Sequence, residues 1–151
     1  MPNIIINENS GAATGGVRDV MRWEGVALFM GTTLFYVFSG SPWQAYAILF
    51  FVPDLTFLAY LAGPRIGAVV YNAAHVTIGP MVLAMLGLVF AEPALGSVAL
   101  IWLAHIGLDR ALGYGLKYAA GFRYTHLGRI GRDPKPAAQG ENAQTTMSAT
   151  R

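Results

Sequence analysis

No cysteine occurs among the 151 residues, which excludes disulfides, thiolate zinc sites and thiol catalysis and says nothing about redox compartment. Charge is almost as scarce: 12% of residues are Asp, Glu, Lys or Arg, against 54% hydrophobic, and the mean hydropathy is +0.46. That balance falls among membrane proteins, and the length allows one domain. A formal net charge of +2 is too small to hold nucleic acid, so the expected partner is the lipid bilayer. The His-Glu-x-x-His and paired Glu-x-x-His signatures of metal enzymes are also missing, and no internal repeat is present.

Four apolar segments remain, 21–39, 43–62, 65–91 and 95–119, each close to the ~20 residues that span a hydrocarbon layer ~30 Å thick. Short separators rich in helix breakers, "SGSP" at 39–42, "GPR" at 63–65 and "EPA" at 92–94, predict sequential antiparallel neighbours. Lipid offers the backbone no hydrogen-bond partner, which makes helix the expected state. The expected fold is therefore an all-α, up-down, four-helix integral membrane bundle over 21–132. Polar, disordered tails are expected at 1–20 and 133–151.

The first and third separators carry no Lys or Arg, whereas Arg18, Arg22, Arg65, Arg123, Arg129, Arg132 and Lys135 flank the other helix ends. By the positive-inside rule both termini are cytoplasmic, with Trp23 and Trp43 at opposite interfaces. A cleaved signal peptide is the competing reading of the first segment, disfavoured by its long polar head.

Within these segments stand Asp54, His75, His105, Asp109, Arg110 and Lys117. Counted from the cytoplasmic helix ends, Asp54 lies ~12 Å deep, His75 ~15 Å, and Asp109 and His105 ~15 to ~20 Å. Three helices thus bring carboxylates and imidazoles to one level. Asp54, Asp109 and Arg110 together oppose insertion by ~8–10 kcal/mol on the translocon scale, so these groups should face the bundle interior and pair. His105 and Asp109 are i and i+4 on one face; Asn72 and His75 are i and i+3. Pro53 and Pro80 free carbonyls beside Asp54 and His75, and Gly107, Gly113 and Gly115 are expected to allow close helix approach.

Imidazole with carboxylate suits zinc or non-haem iron, so Asp54, His75, His105 and Asp109 are the candidate metal ligands, with Glu24, Asn72, Arg110 and His126 as auxiliary groups. Arg110, turned about 100° from Asp109, is expected to clamp a neighbouring helix, with Asp54 as the buried acid within reach, or to bind a lipid phosphate. The chemistry fits a metal-dependent enzyme acting on a lipophilic substrate. Two other readings stay open: a non-enzymatic subunit of a larger membrane complex or homo-oligomer, its polar cluster a structural clasp, and proton-coupled transport.

"PD" at 53–54, "YNAAH" at 71–75, "WLAHIGLDRALGYGLKY" at 102–118 and "GFRYTHLGRIG" at 121–131 together resemble a bacterial membrane-protein family, domain of unknown function 4260. The resemblance covers most of 22–131. It implies a compact protein of the bacterial inner membrane and brings no established activity. "PDLT" and "RYTH" also look like fragments of motifs from membrane-bound metal-dependent hydrolases. Thr56 stands where the first motif has a second Asp, and the second lacks its leading His and one spacer residue.

Overall fold

The computed structural model describes residues 12–131; of the tails expected at 1–20 and 133–151, residues 1–11 and 133–151 lie outside the described residues, whereas 15–20, expected to be disordered, belong to the first helix. The elements are α1 (Gly15–Phe38), α2 (Trp43–Leu49), a 3-10 helix (Pro53–Ala62), α3 (Pro64–His75), α4 (Ile78–Val89) and α5 (Pro93–Leu112). A two-stranded hairpin follows, β1 (Tyr124–Thr125) and β2 (Gly128–Arg129), with Tyr124 opposite Arg129 and Thr125 opposite Gly128. These helices make four rods: α1, α2 with the 3-10 helix, α3 with α4, and α5. The chain is an all-α, four-helix protein of membrane type, and three rods, Trp43–Ala62, Pro64–Val89 and Pro93–Leu112, are long and apolar enough to cross a bilayer. Large apolar side chains such as Leu61, Leu88 and Phe38 point outward, the opposite of a soluble surface.

The rods are antiparallel neighbours. Gly25 of α1 meets Gly107 and Ala111 of α5, while at the other end Ser41, just past α1, shares a 2.7 Å hydrogen bond with Ser97. Gly79 and Gly87 of α4 lie against Trp102 and Gly96 of α5, and Tyr60 of the 3-10 helix covers Gly67 of α3. Glycine lets the α1 and α5 backbones touch: a Cβ on Gly107 would stand 2.5 Å from the Phe29 nitrogen. Tyr36, Phe50, Ile101 and Ala104 form the apolar core beside this crossing.

Helix α1 begins at Gly15, ahead of the expected residue 21. Tertiary contacts hold its polar first turns: the Arg22 Nε–H donates to the Ala111 carbonyl at 2.9 Å, and the Ala13 N–H to the His126 carbonyl at 2.8 Å. Arg22, which reads as a membrane flank, therefore also binds the end of α5, whose last carbonyls lack helical partners.

Two segments expected as continuous helices are broken. Pro53 starts the 3-10 helix, because proline donates no hydrogen bond and fits the first helical position. The third segment breaks after His75, where Val76 is extended (ψ 144°) before Ile78 restarts helix. The fourth stops at Leu112, where the expected helix continued to 119. Gly113 takes φ +92°, and the N–H of Tyr114 donates to the Asp109 carbonyl at 2.7 Å, a helix-ending arrangement that glycine permits. Gly113 and Gly115 thus serve a C-cap and a close approach to His126, and of these three glycines Gly107 alone serves helix packing.

Candidate metal centre

The three interruptions place the polar side chains. Asp54 follows the proline that opens the 3-10 helix, His75 is the last residue of α3, and His105 and Asp109 lie one turn apart near the end of α5. One ligand atom from each of these four residues lies within 4.8 Å of the others. His75 Nε2 is 3.6 Å from Asp109 Oδ2 and 3.9 Å from Asp54 Oδ1, and His105 Nε2 is 3.6 Å from Asp54 Oδ1 and 4.0 Å from Asp109 Oδ2. The two Nε2 atoms are 3.2 Å apart. Both histidines are buried, whereas the Asp54 side chain is 34% exposed and forms the open edge.

The surroundings orient these donors. His75 Nδ1 lies 2.8 Å from the Tyr71 carbonyl; a carbonyl only accepts, so Nδ1 carries the proton and the Nε2 lone pair faces the cluster. Metal-ligating histidines are oriented by contacts of this kind. The Tyr71 hydroxyl donates to Asp109 Oδ2 at 2.8 Å, and its ring stacks on His75 at 3.7 Å. Phe50 meets the His105 ring edge-on, and His105 Nδ1 has no hydrogen-bond partner among the described residues.

Trp102 was not singled out by sequence reading, yet its indole N–H donates to the Ala74 carbonyl at 2.6 Å, securing the end of α3 beside His75. Trp102→Phe is expected to leave that carbonyl unmet and cost about 1–2 kcal/mol, read as a lower Tm in detergent without loss of helical signal.

The donor set fits a small ion. Tetrahedral coordination at ~2.0 Å sets donor atoms ~3.3 Å apart; the donors stand between 3.2 Å and at most 4.8 Å from one another, so the widest pair must close by up to about 1.5 Å around an ion. Two imidazoles and two carboxylates also match the chemistry of zinc or non-haem iron sites.

The proposed auxiliary residues divide. Asn72 supports the site indirectly: its side-chain amide donates to the Lys117 carbonyl at 2.8 Å and accepts the Lys117 N–H at 2.7 Å. His126 belongs to the fold-back, where Nδ1 accepts the Leu116 N–H at 2.8 Å. Burial, reinforced by the charge of Arg110, pushes the His126 pKa down. Glu24 is exposed on α1 and outside the cluster, because its helix turns Gly25 inward at that level. Arg110 does not pair with Asp54, which lies in ion-pair range of the two histidines instead; its Cβ faces the bare Cα of Gly25.

The apolar segment 95–119 predicts a helical Lys117. It is held instead in an extended segment bridged to Thr125, 3% exposed, with its pKa lowered by burial to about 8, against the opposing pull of Asp109 and Asp54. The "GYG" at 113–115 was the available signal, since a glycine pair around one residue ends helices as readily as it packs them.

No curated protein and no solved structure matches the chain. The sequence model of one family matches residues 18–130, a span that holds all four cluster residues and the fold-back hairpin. The chain belongs to the family described as Domain of unknown function (DUF4260).

Proposed function

We propose that the protein is a metal-dependent membrane enzyme acting on a lipophilic substrate, with Asp54, His75, His105 and Asp109 as the metal ligands. The observation that carries this reading is the meeting of four donor atoms, from three separate rods, within 4.8 Å of one another. An apolar cavity of about 300 Å³ is walled by Val52, Pro53, Ala74, Leu83 and Trp102. Pro53 and Ala74 are the chain neighbours of Asp54 and His75, which supports this cavity as the seat of the substrate's hydrocarbon part. A bound zinc ion lowers the pKa of water for hydrolysis, whereas iron supports oxygen chemistry.

Metal analysis of protein purified without chelator tests the reading. About one or two equivalents of zinc or iron are expected, falling several-fold in His75→Ala and His105→Ala. One observation favours a second reading: the 3.2 Å contact between the two Nε2 atoms and the Tyr71–Asp109 bond let the cluster satisfy itself as a clasp between helices. Protein that is metal-free yet fully stable supports the clasp and sinks the metal centre.

The proposal includes a location in the bacterial inner membrane with both termini cytoplasmic, an orientation supported by the basic flanks of α1 and of the Gly63–Pro64 turn. Cysteines introduced at Ser41 and Ala94 are then expected to react with an impermeant thiol reagent from outside, and one at Ala120 only after lysis. Labelling of Ala120→Cys in intact cells reverses the orientation.

A further inference from the structure

Lys117 stands in the wall of the cluster, and the proposed ligand set leaves it without a task. Its Nζ is buried and has no hydrogen-bond acceptor among the described residues. Three aromatic rings surround it, Phe122 at 4.2 Å, Tyr71 at 5.0 Å and Tyr114 at 5.7 Å. Of these, Tyr71 also binds Asp109 and stacks on His75, so the ammonium and the metal ligands share one aromatic wall. Ring faces attract the charge but do not replace the oxygen acceptors that an ammonium with three donors loses on burial.

The backbone of Lys117, by contrast, is tightly fixed. Asn72 holds both its N–H and its carbonyl, and an antiparallel bridge joins it to Thr125. Asp109 and Asp54 stabilise its charge through space without a hydrogen bond. A divalent ion at the cluster takes up the charge of those two carboxylates, and the ammonium is then left as net positive charge.

We propose that Lys117 receives an oxyanion of the substrate, a phosphate or a carboxylate, beside the metal, which makes the substrate an anionic lipid. The proposal rests on the metal-enzyme reading and extends it from a lipophilic substrate to a charged one. Phosphate is the oxyanion that can be tested from two sources, a lipid headgroup and the free ion.

The test uses full-length protein in neutral detergent, zinc-loaded and EDTA-treated, titrated with dioctanoyl phosphatidic acid, inorganic phosphate and neutral dioctanoylglycerol. Phosphatidic acid is expected to bind more tightly than dioctanoylglycerol. Lys117→Met is expected to weaken it by about tenfold or more, the loss of one hydrogen bond to a charged group, at unchanged zinc content, with Lys117→Arg retaining most of the affinity. Inorganic phosphate binding as tightly as the lipid, with the same dependence on Lys117, assigns the site to the free ion and overturns the lipid. Equal affinity in wild type and Lys117→Met overturns the proposal, as does a wild type that prefers dioctanoylglycerol; the latter decides even if Lys117→Met does not fold. Should wild type hold no zinc, the metal reading fails by itself. Phosphatidic acid binding that depends on Lys117 and survives EDTA then preserves the anion site.

Discussion

Gly107→Leu is expected to abolish assembly of the bundle. A Cβ at this position stands 2.5 Å from the Phe29 nitrogen, 2.9 Å from the Gly25 carbonyl oxygen and 3.0 Å from the Phe29 Cα. All three are backbone atoms of α1, so no side chain can rotate away and the two helices must separate. Overpacking costs about 1–3 kcal/mol where side chains relax, and the cost here exceeds that range because the neighbour is a helix backbone. Gly107→Ala, with one methyl group, is expected to lose about 2–3 kcal/mol. Gly31→Ala on α1, whose new Cβ meets nothing within 4 Å, is expected to be neutral or stabilising by up to about 1 kcal/mol through helix propensity. Gel filtration and thermal melts in detergent read the series. A monodisperse Gly107→Leu protein with wild-type Tm contradicts the α1–α5 crossing.

The second large effect falls on chemistry. Asp109→Asn is expected to lower metal affinity by more than the 10–100-fold typical of losing a group that only supports a ligand, since here a ligand itself changes. Folding is expected to survive, because the Asn amide oxygen can still accept the 2.8 Å hydrogen bond from the Tyr71 hydroxyl. Arg110→Ala is the contrast. With Asp54 beside His75 and His105, removing Arg110 strands no buried partner there, and the expected cost is about 1 kcal/mol or less. Metal content and Tm of the two variants separate the roles: metal lost with Tm kept for Asp109→Asn, metal kept for Arg110→Ala. If Asp109→Asn unfolds the protein while Arg110→Ala changes nothing, the charges serve the fold and the centre is a clasp.

The rods and the meeting of Asp54, His75, His105 and Asp109 were legible in the sequence because both follow from simple counting. Apolar length defines a rod, short Gly/Pro separators make neighbours antiparallel, and equal distance from the turns brings side chains to one level. The helix interruptions were not legible. Pro53 and Pro80 indicated disturbance near Asp54 and His75, but whether proline kinks a helix or ends it depends on tertiary partners, such as the Trp102 indole, whose N–H donates to the Ala74 carbonyl. The fold-back of residues 113–131 was hidden for the same reason: Gly113 and Gly115 suit both a helix contact and a helix end. Only the pairing of Lys117 with Asn72 and Thr125 decides between them. The partner of Asp54 was not legible, because a count of charges cannot show that two histidines stand in ion-pair range of it where Arg110 was expected.

X-ray absorption at the edge of the metal found in the purified protein tests the centre most directly. A shell of nitrogen and oxygen donors at ~2.0–2.1 Å is expected, with outer-shell scattering from two imidazoles that falls to one in His105→Ala. A shell of oxygen alone, imidazole scattering untouched by His105→Ala, or no stoichiometric metal in protein grown with zinc and iron would contradict a metal centre built from His75, His105, Asp54 and Asp109.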